Sequence, residues 1–267
     1  MKKLFNFSIL CAILAIATSG CDIFADPQEE KPNDPTGETP STGGGAGIKL
    51  VTYLYDSSDG GGTFNYEYDN QNRLTKITVT GSNNNGVWNV TYPTSNTIRY
   101  VKGNDSFFFT KNSQGYVTYY EANVLGVKAT QNLEYANGYL TKTSAESMGL
   151  TINQTFVWNS GKLDAIESRS AGLVIDKITF TYTSRANKEG YISPWTMSEE
   201  NGNRYCPASW SGKMSPNLVA TKTNERFMIG TTTISYRYDI NTDGYVTKVY
   251  AKENAGAEYL LYEVKYK

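Results

Sequence analysis

The side chains that most enzymes use for acid–base chemistry are scarce here, because the sequence contains no histidine. This excludes a Ser-His-Asp or Cys-His arrangement and any metal site with a histidine ligand. The cysteines are Cys11, Cys21 and Cys206, and without a histidine to activate it Cys206 is expected to be a small, half-buried apolar residue. We therefore expect a protein that is not an enzyme and has no cofactor.

The segment Asp239–Gly244 matches the first half of a calcium-binding loop. Asp239, Asn241 and Asp243 could offer oxygen ligands, but such a loop needs a bidentate carboxylate at its twelfth position. Tyr250 occupies that position. Because Asn and Asp also favour tight turns, we predict a hairpin turn here and no metal site.

Paired carboxylates are the remaining catalytic possibility. Glycoside hydrolysis needs two carboxyl groups at a defined separation beside aromatic sugar platforms, and it needs no histidine. Glu199 and Glu200 lie in an aromatic-rich segment, but adjacent residues on one loop rarely point at the same substrate atom. Nothing in the sequence selects Asp164 or Glu167 as the partner acid. A carboxylate-based glycoside hydrolase therefore stays an alternative.

Cys21 is a candidate for covalent modification. It follows Thr18-Ser19-Gly20 and an apolar stretch from Leu4 to Ala17 that begins after two lysines. The stretch is too short to span a bilayer as a stable helix, so residues 1–20 resemble the cleaved signal of a bacterial lipoprotein. The mature chain is then expected to begin at Cys21, with lipid such as palmitate attached. Because Thr18 stands where such signals most often have leucine, an ordinary secretory signal or a different cleavage site is the alternative.

Residues 21–47 are rich in proline and include Gly43-Gly44-Gly45, with little to bury. They predict a disordered tether that would hold the folded part about 25 to 30 Å from the anchor. The chain has 25 basic and 26 acidic residues, which lacks the basic excess of a nucleic-acid-binding protein. The expected partner is a membrane, which the protein would contact through its lipid. The expected location is the cell envelope, at the outer membrane, on either its periplasmic or its surface face.

Residues 48–267 predict a single all-β domain. Apolar and polar residues alternate in stretches such as Phe64–Asp69, Ile178–Thr183 and Ile234–Asp239, as in an antiparallel sheet with one covered face. Turn-forming pairs such as Asn137-Gly138 separate the stretches. We expect an antiparallel meander of about 12–16 strands that is strongly curved or closed into a barrel-like sheet.

The stretches form a repeat in which an aromatic residue recurs before the turn, with a degenerate unit near Phe109. The other units place it at Tyr68, Tyr92, Tyr135, Trp158 and Tyr182.

The best copies, Tyr66–Ile77 and Tyr236–Val249, have the form aromatic-x-Tyr-Asp, a turn, then Leu or Val followed by Thr-Lys. They resemble YD repeats. Together with the signal at Cys21, the chain resembles a family of gut-bacterial lipoproteins of unknown function with a porin-like fold. The resemblance implies a curved or closed meander of many strands, and it supplies no catalytic residues.

A membrane pore is a further alternative, because membrane-spanning barrels show the same alternation. Three features oppose it: a lipid anchor on a tether would be redundant in a barrel that spans the membrane, the apolar faces are richer in Tyr than in Leu, Val or Ile, and the chain ends in Lys267 rather than in an aromatic residue.

The repeat breaks over residues 184–230, which predict an irregular insertion. Its aromatic residues could form a plug that caps the open end of the sheet, or a rim that binds a glycan or an envelope protein. The candidate contacts are Trp195, Tyr205 and Trp210. Taken together, the sequence predicts a lipid-anchored, exported accessory protein that acts as a non-catalytic binding or structural module.

Overall fold

The computed structural model describes residues 50–57, 61–81, 85–188 and 212–267. These form an antiparallel meander of sixteen strands, in which each strand pairs with its neighbours in sequence and β1 also pairs with β16 to close a barrel. No helix in these ranges is long and apolar enough to cross a membrane. The strands are β1 (Val51–Asp56), β2 (Gly62–Tyr68), β3 (Leu74–Thr80), β4 (Gly86–Thr94), β5 (Thr97–Lys102), β6 (Asp105–Lys111), β7 (Val117–Val124), β8 (Val127–Ala136), β9 (Tyr139–Ser147), β10 (Leu150–Asn159), β11 (Lys162–Ser170), β12 (Leu173–Ala186), β13 (Asn217–Arg226), β14 (Gly230–Ile240), β15 (Val246–Glu253) and β16 (Tyr259–Tyr266).

The barrel has two rims, which we name by the path of the chain. At the proximal rim the chain enters β1 and leaves β16, and each even-numbered strand turns into the next odd-numbered one. At the distal rim each odd-numbered strand turns into the next even-numbered one. The backbone N–H of Lys267 donates to the carbonyl of Leu50 at 3.0 Å, so the two ends of the barrel meet at the proximal rim.

Side chains alternate between an apolar inside and a polar outside. In β4, for example, Trp88 and Val90 are buried while Asn89 and Thr91 are exposed. Since the sheet closes on itself, the buried positions face the interior. The large side chains that are less than 2% exposed are Trp88, Tyr100, Tyr262, Phe64, Phe109, Leu54, Ile77, Ile98, Leu163, Gln131 and Val79.

Aromatic rings pack densely inside β4 to β7. The rings of Trp88 and Phe107 stack with their centroids 4.8 Å apart, those of Phe109 and Tyr120 stack at 5.2 Å, and Tyr100 meets Phe109 edge-on at 5.4 Å. Such pairs add about 0.5–1.5 kcal/mol each to the free energy gained by burying the rings. The interior of this sector is therefore a packed core.

The outer face carries polar cross-strand pairs. The hydroxyls of Thr63 and Thr80 lie 2.6 Å apart, and Lys76 Nζ lies 2.6 Å from a carboxylate oxygen of Glu67. Exposed pairs of this kind each contribute at most about 1 kcal/mol. Among the described residues, polar and charged side chains therefore make up much of the outer face.

The predicted class, an all-β antiparallel meander of about 12–16 strands in a closed sheet, is confirmed. The predicted bounds of the insertion, residues 184–230, are wrong, because β12 continues to Ala186 and β13 occupies Asn217–Arg226. The turn after β13, Phe227–Ile229, lacks the Asn, Asp or Pro that marks most turns. The sequence therefore carries no turn signal for the β13–β14 hairpin. The connection between β12 and β13 therefore spans residues 187–216.

Candidate functional site

Aromatic residues near the proximal ends of even-numbered strands pack against the core at that rim. Six of them each donate a hydrogen bond to a carbonyl near the start of the preceding strand, which ties together the open end of a hairpin. These six residues, here called the aromatic cap, and their acceptors are Tyr68 to Val51 (2.8 Å), Tyr92 to Leu74 (3.0 Å), Trp158 to Leu140 (2.7 Å), Tyr182 to Leu163 (2.7 Å), Tyr238 to Val219 (2.8 Å) and Tyr266 to Val246 (2.9 Å).

The cap tyrosines are suited to structure rather than to proton transfer. Burial raises the pKa of Tyr92 and Tyr182 to about 12, and it raises the pKa of Tyr238 well above its usual value. Their hydroxyls therefore stay protonated at neutral pH and act as hydrogen-bond donors. The recurring aromatic of the repeat thus has a structural role.

A lysine takes the place of the cap aromatic in the degenerate unit. Lys111 pairs with Val117 just after a shift in register, as Tyr68 pairs with Leu74. Phe109 lies two residues earlier, deeper in the core. Burial lowers the pKa of Lys111, because a charged ammonium is poorly solvated at this position.

Both described ends of the long connection lie on the proximal rim. Where it leaves β12, Lys188 Nζ donates to the carbonyl of Asp243 in the β14–β15 turn. Where it returns, the N–H of Lys213 donates to the carbonyl of Gly138 in the β8–β9 turn at 2.7 Å. The connection thus begins and ends over different turns of this rim.

Gly212 allows the returning segment to approach the barrel closely. Its φ is +82°, and a Cβ at this position would collide with the carbonyl of Gly138 and the ring of Tyr135. Only glycine fits both requirements. The returning segment is therefore held against the β8–β9 turn by backbone contact.

The residues predicted to make contacts, Trp195, Tyr205 and Trp210, lie outside the described residues, as do Glu199 and the lipidation site Cys21. Their roles stay predictions. Of the two proposed partner acids, Asp164 is exposed, and Glu167 forms an ion pair with Arg169 at 2.7 Å. Both belong to the outer face of β11.

The oxygens of the calcium-like segment do not converge. Asn241 Oδ1 accepts a hydrogen bond from the N–H of Asp243 at 3.1 Å, which makes a tight turn. The Asp239 carboxylate instead bonds Arg237 at 2.9 Å and the hydroxyl of Tyr250 at 3.1 Å. Among the described residues, no group of three or more His, Cys, Asp or Glu could hold a metal ion. That the whole protein binds no calcium stays a prediction.

A polar row that sequence reasoning missed lies inside the barrel near the distal rim. Gln154, Ser168, Asp176 and Arg226 stand side by side on β10 to β13. Gln154 Nε2 donates to the hydroxyl of Ser168 at 3.2 Å, and Thr143 donates to Gln154 Oε1 at 2.9 Å. Their hydrogen bonds to one another make the burial of these three uncharged side chains tolerable.

A small cavity of about 100 Å³ opens beside this row. It is lined by Lys222, Asn224, Arg226, Thr232, Ile234 and Glu253. Asp176 is buried nearby with one carboxylate oxygen 3.9 Å from Arg226 Nε, and desolvation raises the pKa of that carboxyl. A cavity this small, with charges of both signs, suits water or a small polar group rather than a large ligand.

The sequence did contain a signal for this row. Asp176 precedes Ile178 and Phe180 at two-residue intervals, so the alternation that turns those apolar residues inward also turns the aspartate inward. The same alternation that predicts the apolar face therefore also indicates which polar residues face the interior.

Comparisons with solved structures agree with this architecture. A porin-like protein from Bacteroides uniformis superposes with a TM-score of 0.63 at 18% identity, over 85% of this chain and 100% of that one. A porin-like protein from Bacteroides vulgatus gives a TM-score of 0.55 at 12% identity, over 82% and 99% of the respective chains. No protein-family model matches the sequence, and neither does any curated protein.

The fold is therefore that of the porin-like barrels of Bacteroides. At these identities the likeness concerns the fold alone. The fold implied by the sequence resemblance is confirmed, while the lipoprotein signal and the kinship to YD repeats stay predictions.

Proposed function

We propose that this protein is a lipid-anchored, exported accessory protein of the cell envelope, whose barrel serves as a rigid, non-catalytic binding or structural module. The observation that carries the proposal is the polarity of the barrel. Its buried apolar residues face inward, and its outer face carries Thr, Asn, Lys and Glu. A rigid barrel can hold binding residues at one of its rims in a fixed arrangement.

This polarity argues against the pore alternative despite the porin-like fold. A barrel that spans a bilayer turns an apolar band toward lipid and a polar lining toward its channel. In this chain the outward positions of β8 include Lys128 and Glu134, while Ala129 and Leu133 face inward. Charged residues facing hydrocarbon would cost about 2–4 kcal/mol each for Lys or Arg near the midplane.

Planar-bilayer recordings test this point. We expect the purified protein to produce no conductance steps under conditions in which a channel-forming porin, used as a positive control, does. Reproducible single-channel steps that disappear when the protein is heat-denatured would contradict the proposal and favour the pore.

The lipid anchor is tested by mass spectrometry of the protein from bacterial membranes. We expect the N-terminal peptide to begin at Cys21 and to carry lipid. In a Cys21→Ser variant we expect the unmodified precursor with residues 1–20 still attached. A wild-type N-terminal peptide without lipid would refute the anchor but would leave the barrel module in place.

The contacts are proposed to be made by the connection between β12 and β13, with Trp195, Tyr205 and Trp210 as anchors for a glycan or an envelope protein. Its described flanks, Lys188 and Lys213, both contact turns of the proximal rim, which supports a contact surface at that end of the barrel. Replacement of the three aromatics by Ala should abolish binding on glycan arrays and in pull-downs, whereas Tyr119→Ala on the outer face should not. Unchanged profiles would indicate a purely structural plug.

A further inference from the structure

Large apolar side chains are exposed on the turns of the distal rim. Four consecutive hairpins, from β7–β8 to β13–β14, carry them in the turn or, for Leu173 at the start of β12, directly after it. Each of these residues is between 60% and 90% exposed to solvent: Leu125, Met148, Leu173, Phe227, Met228 and Ile229. The β5–β6 turn, Gly103-Asn104, and the β15–β16 turn lack such tips, so the apolar turns occupy one sector of the rim.

The backbone conformation of these turns also disfavours large apolar residues. Leu125, Met148 and Met228 have φ between +51° and +62°, a left-handed conformation that is unfavourable for large side chains. The matching turns of the proximal rim place Asn137 and Ser160 before their glycines, and Asn in particular tolerates this conformation. The turns of the distal rim thus combine backbone strain with exposed apolar surface. At the matching positions the turns of the proximal rim have polar residues instead.

Charged residues lie close behind the apolar tips. Lys128 follows the β7–β8 tip and pairs with Glu121 at 3.0 Å. Arg169, behind the β11–β12 tip, donates to the carbonyl of Gly172 at 3.2 Å, and Arg226 precedes Phe227. Basic side chains just behind apolar ones match the order of headgroups and acyl chains at a membrane surface.

From these observations we infer that the four apolar turns of the distal rim insert into the interface of a phospholipid bilayer. Neighbouring tips are about 10 Å apart, because two strand spacings separate them. A fluid bilayer can surround each separate protrusion, whereas a rigid protein partner would need a matching pocket for every tip. Since the basic residues are balanced by nearby acids, insertion rather than net charge should drive the contact.

The inference rests on the proposed envelope location and does not require the lipid anchor. If the anchor is present, the chain between it and the barrel is long enough to allow the contact. Residues 21–47 can extend to about 90 Å, whereas β12, the longest strand with 14 residues, rises about 45 Å. The barrel could therefore turn its distal rim toward the membrane that holds it.

Depth-dependent fluorescence quenching tests the inference on the whole mature protein in phosphatidylcholine vesicles. A Met228→Trp variant reports on the distal rim, and a Ser160→Trp variant, at the matching position of a proximal turn, is the control. Vesicles with brominated acyl chains should quench and blue-shift the emission of the Met228→Trp variant relative to the unsubstituted protein. They should leave the added signal of the Ser160→Trp variant unchanged, in low and in high salt.

A second variant tests whether the other tips contribute. Adding Leu125→Asn and Met148→Asn to the Met228→Trp protein should reduce the quenching without lowering the melting temperature, because Asn suits the left-handed conformation. Equal quenching at both rims, or none at either, would overturn the inference. A blue shift without vesicles, together with a doubled mass in light scattering, would overturn it in favour of pairing between two copies.

Detection of the anchor by mass spectrometry separates the two ideas. Lipid on Cys21 with no quenching of the Met228→Trp emission would leave the anchored module intact and refute only the insertion of the rim. Quenching of the Met228→Trp emission in a protein without lipid on Cys21 would support insertion of the rim and refute only the anchor.

Discussion

At the scale of single residues, the aromatic cap depends on hydroxyl and indole groups that reach a neighbouring strand. Tyr238 is the most informative, because its hydroxyl is buried and bonds the Val219 carbonyl at 2.8 Å. In Tyr238→Phe the ring would remain while that carbonyl loses its partner in an apolar setting. We expect a loss of about 1–3 kcal/mol in the free energy of unfolding, measured by urea denaturation.

Tyr119→Phe is the matched control for this experiment. The Tyr119 hydroxyl bonds Glu121 on the outer face, where water can replace it, so the loss should stay below about 0.5 kcal/mol. Equal losses in the two variants would contradict the role given to the cap.

The same hydroxyls make stability depend on alkaline pH. An unfolded tyrosine releases its proton near pH 10, whereas burial raises the pKa of Tyr92 and Tyr182 to about 12 in the folded protein. Between these values the folded state holds protons that the unfolded state has lost. The stability that these two hydroxyls contribute should therefore be constant below about pH 9 and fall as the pH rises from about 10 to 12. Thermal unfolding at a series of pH values measures this, and a flat profile to pH 12 would refute it.

At Asp176 we expect a substitution to raise the stability instead of lowering it. Burial disfavours the charged form of this carboxyl, which is the form present at neutral pH. Desolvation raises the pKa of the carboxyl even with Arg226 3.9 Å away. We expect Asp176→Asn to stabilise the protein by about 1 kcal/mol at pH 7, because the cost of desolvating a charge is removed while the guanidinium of Arg226, 42% exposed, stays solvated. The gain should shrink as the pH falls and vanish below about pH 3, where the carboxyl is neutral in both states. A lower melting temperature at pH 7 would show that the ion pair outweighs the cost of desolvation.

At the scale of the hairpin, the left-handed turn residues should set local stability. Met148→Asn is expected to raise the free energy of unfolding by about 0.5–1 kcal/mol, because Asn adopts a positive φ more readily than Met and exposes less apolar surface. Asn137→Leu at the matching proximal turn should lower it. Urea denaturation of both variants measures the difference, and stabilisation by Leu at residue 137 would contradict the argument.

The hairpins also show what the sequence could reveal. The period-two alternation and the turn pairs predicted the strands, because a closed sheet buries alternate residues. That Lys111 replaces a cap aromatic can be recognised only from the pairing register of β6 and β7. A register shift between Thr110 and Lys111 places the cap position at Lys111, two residues beyond Phe109. The inward direction of Asp176 can be predicted from the alternation along β12, but its neighbours Ser168 and Arg226 lie on other strands and meet it only through strand pairing.

At the scale of the whole molecule, closure depends on one pairing between the ends of the chain. Residues of β1 pair with those of β16, as Leu54 does with Val264. A variant that ends before Tyr259 would leave β1 and β15 as open edges with exposed apolar faces, and such edges promote association. We expect that variant to sediment as large assemblies, while the full chain stays a single species. A monomeric, cooperatively unfolding truncation would show that closure is dispensable.

The order of strands also bears on how the protein is made. Every pairing except the one between β1 and β16 joins sequence neighbours, so hairpins can form one after another as the polypeptide is synthesised. The last residues to be made are the ones that seal the barrel. Until then the growing sheet has two free edges, and a stalled or shortened chain would be a natural substrate for chaperones and proteases.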